Sequence, residues 1–154
     1  MKVFVTGEQG YIGVHLVDLL KQAGHTVTGC DLGLFEGCAW EKFVPADRDL
    51  RMDVRDITVA DLVGHDCVMH LAAISNDPMG EIDARATFAI NRDASIRLAQ
   101  LAKKAGIPRF LFATSCSVYG AGKKLDLDET DPLDPLTAYA KSKIETEQAL
   151  VGAR

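Results

Sequence analysis

Twelve residues near the start of the chain, Lys2 to Gly13, read Lys-Val-Phe-Val-Thr-Gly-Glu-Gln-Gly-Tyr-Ile-Gly. The β-prone run Val3-Phe4-Val5 ends at Thr6-Gly7, and Gly7, Gly10 and Gly13 then recur every third position. Glycine is needed where a chain turns sharply from strand to helix and where a phosphate must touch bare backbone. The free N–H groups and positive dipole end of a helix opening near Tyr11 would hold a pyrophosphate. A plain tight strand-to-helix turn accounts for the glycines about as well, but a strand before and a helix after favour a dinucleotide. Asp31 ends the next expected strand, 18 residues beyond Gly13. A carboxylate there would accept hydrogen bonds from the adenosine ribose and repel a 2′-phosphate, and no Arg or Lys follows until Lys42. The expected cofactor is therefore NAD rather than NADP; a turn-forming Asp at a strand end is the bland reading.

A second constellation lies towards the other end. Tyr139 and Lys143 are four apart on an expected helix, so both side chains share one face. A phenol ordinarily ionises near pH 10, and bringing it three units down takes about 4 kcal/mol. A neighbouring ammonium and a cationic nicotinamide could supply that together. Ser115, at the C-terminal end of a strand, could donate a hydrogen bond to a substrate oxygen, at the edge where open α/β sheets bind ligands. Taken alone, Tyr-x-x-x-Lys is more often an exposed ion-bearing pair than a catalytic one.

The elements that must position these residues follow from periodicity. Strands are expected at Val3–Val5, Thr26–Cys30, Asp49–Met52, Cys67–Leu71 and Arg109–Ala113. The helix Tyr11–Ala23 carries Ile12, Leu16, Leu19 and Leu20 as the stripe for a sheet, and Gly24 stops it. A short helix is expected within Ile57–Leu62, a long one over Ile82–Ala105, and a last one over Thr137–Leu150. The Ile82–Ala105 helix carries the stripe Ile90, Ala94, Leu98, Leu101 and Ala105. Leu32–Ala46, pinned by Trp40, Ser75–Gly80 and Ala121–Leu136 read as loops. Strands alternating with helices imply an α/β fold: a Rossmann-type doubly wound parallel sheet of about five strands, one domain over residues 1–154.

Composition narrows the field. Hydrophobic content of 47% and charged content of 25% are ordinary for a globular domain. A net charge of −5 disfavours nucleic acid and anionic membrane as partners, and no apolar run reaches the length of a membrane span. Cys30, Cys38, Cys67 and Cys116 lack the close spacing of a zinc or redox site, and His15, His25, His65 and His70 lack ligand spacing. The expectation is no metal and a cytoplasmic protein with reduced thiols.

Six motifs occur together in a fixed order. They are Thr6 to Gly13, Asp31, Asp53-Val54-Arg55-Asp56, His70-Leu71-Ala72-Ala73, Ser115 to Gly120, and Tyr139-x-x-x-Lys143. The combination closely resembles the extended short-chain dehydrogenase/reductases, in particular the NAD-dependent nucleotide-sugar epimerase/dehydratase group, over nearly the whole chain. The resemblance implies that Gly7, Gly10 and Ile12 line the pyrophosphate, beside the helix start at Tyr11. It gives Asp31 the adenosine ribose, Asp53 and Val54 the adenine, and runs Leu71, Ala72 and Ala73 beneath the cofactor. Asn91 matches the family's helix asparagine near the active site. Ser115, Tyr139 and Lys143 match the catalytic serine, tyrosine and lysine, the last two also meeting the cofactor. It further implies a nucleotide-sugar substrate and a homodimer through helices 82–105 and 137–150.

Two departures qualify the resemblance. The sugar-nucleotide 4,6-dehydratases carry Asp-Glu directly after the hydroxyl residue, where this chain has Cys116-Ser117, so dehydration is disfavoured. Relatives also continue well past the position of Arg154 with further strands and the region that grips the sugar, so the C-terminal substrate-binding part is expected to be lacking. The enzyme reading is transient oxidation of a sugar hydroxyl followed by hydride return. Its rivals are a non-catalytic NAD-binding module or subunit and a purely structural domain, separable by measuring NAD binding beside turnover.

Overall fold

The computed structural model describes residues 1–38, 42–121 and 126–152; Trp40 lies outside them. In chain order the elements are β1 (Lys2–Thr6), α1 (Tyr11–Gln22), β2 (Thr26–Asp31), β3 (Arg48–Arg51), α2 (Val59–Leu62) and β4 (Cys67–His70). They continue with α3 (Asp77–Ile82), α4 (Ala84–Thr87), a π-helical segment (Phe88–Asp93), α5 (Ala94–Lys104), β5 (Arg109–Phe112) and α6 (Ala138–Gly152). Short 3-10 turns occupy Val54–Asp56 and Cys116–Tyr119. The chain forms two compact units, Met1–Ala72 with Arg97–Ala113, and Ala73–Ile96 with Thr114–Arg154.

The first unit holds the whole sheet, all parallel, in the order β3-β2-β1-β4-β5. This is the Rossmann-type α/β arrangement the alternating pattern implied. Val3, Phe4 and Val5 of the central strand are fully buried, as a strand paired on both edges requires. Val17 and Leu20 of α1 close a cluster with Val3, Val5, Val27 and Cys67, and Leu16 packs at its margin. The α1 stripe therefore differs from expectation, since Ile12 and Leu19 are both 63% exposed. The contact face runs through Gly13, Val17 and Leu20, and Gly13 leaves no mark in a hydrophobic count. Gly24 ends the helix at φ +77°, a left-handed conformation that costs a glycine little.

The second unit corrects two boundaries. The segment expected as loop Ser75–Gly80 enters helix α3 at Asp77, with Asn76 accepting the Met79 N–H at 3.1 Å as its cap. Pro78 sits in the first turn, where its missing donor is not needed. The expected single helix from Ile82 is broken at Asp83, which caps α4, and then passes through the π-helical segment. Ala94 and Leu98 of the expected stripe are buried and Ile90 is half-buried, while the polar Thr87, Asn91 and Ser95, four positions apart, are buried as well.

Candidate functional site

Parallel register puts Thr6, Cys30 and His70 side by side, so the chain leaves β1, β2 and β4 at one edge of the sheet. Strand order reverses there, because β1 pairs with β2 on one side and β4 on the other. That crevice is where ligands bind in such sheets. Gly7 turns out of β1 at φ +73°, and a Cβ on it would stand 2.8 Å from the Ala72 nitrogen. Ala72 in turn donates its N–H to Thr6 Oγ1 at 3.2 Å, and Leu71 donates to the Thr6 carbonyl at 3.1 Å. A Cβ on Gly13 would come within 2.1 Å of the Gly7 carbonyl oxygen, so only glycine lets α1 start this close to the turn. Gly10 caps α1 with no side-chain hydrogen bond, and Tyr11, its first residue, is 90% exposed. A bare, uncapped helix start with outward N–H groups fits a pyrophosphate.

Asp31 stands at the end of β2, its Oδ1 accepting from Gly33 N at 2.8 Å and its Oδ2 from Gln9 N at 3.3 Å. Those bonds tie the glycine turn to the carboxylate expected at the ribose. Asp53 caps the 3-10 turn over buried Val54, accepting from the backbone and side chain of Arg55. The Arg55 guanidinium holds the Asp53 carboxyl below the usual range.

In the second unit, Tyr139 and Lys143 face one way on α6, with Lys143 Nζ 5.7 Å from the Tyr139 ring centroid. Lys143 is buried, and loss of hydration brings its ammonium down to about 8, against a small opposing pull from Glu147. Ser115 caps the Cys116–Tyr119 turn and accepts from Ser117 N at 3.2 Å. Asn91 is fully buried, and its amide is engaged by the Ile74 backbone, accepting from N at 2.8 Å and donating to O at 3.0 Å. It fixes the segment that follows Ala73. Its own carbonyl receives Ser95 Oγ and Thr146 Oγ1, which joins the π-helical segment to α6.

The profile of the NAD dependent epimerase/dehydratase family matches residues 3–154. The chain belongs to that family. A UDP-glucose 4-epimerase from Lacticaseibacillus casei is 32% identical over 97% of this chain and 46% of its own length. Among solved structures, the UDP-N-acetylglucosamine 4-epimerase of Methanobrevibacter ruminantium M1 superposes with a TM-score of 0.88 at 30% identity, covering 98% of this chain and 49% of that one. A UDP-glucose-4-epimerase from Stenotrophomonas maltophila, solved with bound NAD and formylated UDP-arabinopyranose, gives 0.85 at 29% identity over 99% and 48%. The chain thus spans about half the length of the relatives it matches.

Within this epimerase-family frame, three residues went unnoticed in the sequence. Asp77 accepts Ser117 Oγ at 2.8 Å and also Thr137 Oγ1, so one carboxylate holds the turn that bears Ser115 and the start of α6. Gly80 packs on Tyr139 of α6, where a Cβ would stand 2.8 Å from Tyr139 Cβ. Glu8, between the first two fingerprint glycines, turns inward and is buried. A charged residue inside a glycine turn was the one available signal, and its burial depends on a different strand.

Proposed function

We propose that this chain binds NAD and acts as an NAD-dependent oxidoreductase of the nucleotide-sugar epimerase type. The observation that carries the reading is a buried Tyr139–Lys143 pair, its ammonium near 8, in an epimerase-family chain with a side-chain-free helix start. Gly7, Gly10, Tyr11 and Ile12 would hold the pyrophosphate, Asp31 the adenosine ribose, and Asp53 and Val54 the adenine. Leu71, Ala72 and Ala73 would floor the cofactor, with Asn91 keeping the segment after Ala73 in place. Bound NAD would supply the hydride acceptor and donor. Tyr139 would take the proton of a sugar hydroxyl, Ser115 would orient that oxygen, and the Lys143 ammonium would favour the phenolate. Returning the proton from Tyr139 as hydride reaches the opposite face of the ketone would complete epimerisation. The relatives favour a UDP-sugar as the first substrate to test.

The same proposal includes a homodimer formed by the α4–α5 region and α6. Exposed Ile82, the last residue of α3 just before α4, and Val151 of α6 suit a partner surface. The four cysteines are free, which suits the cytoplasm, and no helix among the described residues is long and apolar enough to cross a membrane. The test couples NAD calorimetry to a turnover assay over UDP-, GDP-, CDP- and dTDP-sugars, with Tyr139→Phe as control and sedimentation for mass. Turnover lost in Tyr139→Phe supports the enzyme, NAD binding without turnover makes the chain a cofactor-binding module, and absence of NAD binding refutes both.

A further inference from the structure

Glu8 is 4% exposed, and its Oε2 has no hydrogen-bond donor. Oε1 receives a long contact from Gln9 Nε2, at 3.5 Å, and the Glu8 backbone N–H opposes part of the effect of burial on the carboxyl. The side chain fills the space left by Gly29 of β2, where a Cβ would lie 2.6 Å from Glu8 Cδ and Cγ. The Glu8 backbone itself lies tight against the α1 start, since a Cβ on Gly13 would meet Glu8 Cα at 2.6 Å. The titratable groups around it are the Cys30 thiol and Asp31 carboxylate of β2 and the Asp49 carboxylate of β3. No cation is among them. Gln9 bridges the group, bonding Asp31 through its N–H and Asp49 through its side chain at 3.3 Å. An ionised Glu8 would be a buried anion, without a donor on Oε2, beside two further anions. A protonated Glu8 carries no charge beside those carboxylates and removes the conflict.

We propose that Glu8 is a neutral acid in the cofactor-binding state, so that dinucleotide binding at this turn is coupled to one proton. The proposal rests on the NAD reading above. Burial first, then the nearby carboxylates, pushes the Glu8 carboxyl up to about 8, while Cys30, pushed to about 12, stays a thiol throughout. Above that range Glu8 loses its proton to solvent, and a third carboxylate appears beside Asp31 at the base of the turn meant for a doubly charged pyrophosphate. NAD then binds only the protonated fraction, so its apparent Kd rises about tenfold from pH 7 to pH 9. By linkage, binding at pH 9 takes up about 0.9 proton per site from solvent.

The test is NAD calorimetry on the intact chain at pH 7 and 9, repeated at pH 9 in two buffers of different ionisation enthalpy to count protons. Glu8→Gln keeps the shape and removes the titration, so its Kd ratio between pH 9 and pH 7 is expected near one. Lys143 titrates in the same range, and the variant separates the two, because a Lys143 effect survives it. A wild-type Kd equal at both pH values without proton uptake overturns the inference, as does a tenfold loss retained by Glu8→Gln. If Glu8→Gln fails to fold, the proton count is taken on Lys143→Met, which lacks the other titration: uptake near 0.9 at pH 9 retained in that variant supports Glu8, and its loss overturns the inference. Absence of NAD binding at pH 7 overturns the cofactor reading, and this coupling with it; a measurable pH 7 Kd isolates the coupling as the point at issue.

Discussion

Replacing Lys143 by Met should make the folded chain more stable while abolishing any turnover. The side chain is 3% exposed, and burial lowers its pKa from 10.5 to about 8. A depression of that size corresponds to a penalty of about 3 kcal/mol for keeping the ammonium charged inside the fold. The sign follows from proton binding: between pH 8 and 10.5 the unfolded chain holds more protons than the native one, so stability rises with pH across that window. The penalty is present in full below pH 8 and relieved by 10.5. Met matches the length of the lysine stem and carries no charge. It forfeits the contact of the ammonium with the Tyr139 ring, which offsets part of the gain; the attraction to Glu147 is already contained in the net depression. The expected net is about 1–2 kcal/mol of stabilisation at pH 7, shrinking towards zero by pH 10. Urea unfolding of both proteins without cofactor, followed by circular dichroism at pH 7 and 10, reads it directly. A Met variant less stable than wild type at pH 7, or a difference that ignores pH, would refute burial as the dominant influence on this lysine.

Asp77→Ala removes the common acceptor of the Ser117 and Thr137 hydroxyls and should cost about 2 kcal/mol, seen as a loss of roughly 4–8 °C in Tm by calorimetry. Gly80→Ala drives a methyl into Tyr139 and should destabilise by about 1–3 kcal/mol in urea, whereas Gly64→Ala, with nothing within 4 Å but φ +85°, should cost about 1 kcal/mol through backbone strain alone. Asp31→Ala should narrow the preference for NAD over NADP; titration of both cofactors by calorimetry checks it, and tighter NADP binding by the wild type would remove Asp31 from the ribose.

The glycine turn between β1 and α1 was legible because its signals are local. Gly7 and Gly13 are forced by close approaches to Ala72 and within the turn, Gly10 sits tightly between them, and strand and helix flank them directly in sequence. Tyr139 and Lys143 were legible for the same reason, one turn of helix apart. What escaped depended on distant partners. Pro78 and Gly80 read as loop residues, yet Pro78 suits a first turn and Gly80 makes room for a tyrosine 59 positions on. Glu8 is inside because Gly29, on another strand, has no side chain. Thr87, Asn91 and Ser95 are buried although polar, and a hydrophobic period does not count them.

The central strand also sets a timetable for synthesis. Val3-Phe4-Val5 is made first, but one of its edges waits for Cys67–His70. At roughly 5–20 residues per second, that interval on the ribosome lasts about 3–12 s. Through it the growing chain carries an apolar strand with an unsatisfied row of backbone donors and acceptors, the kind that recruits other chains. The residues at the heart of the finished sheet are thus its most exposed liability while it is being made.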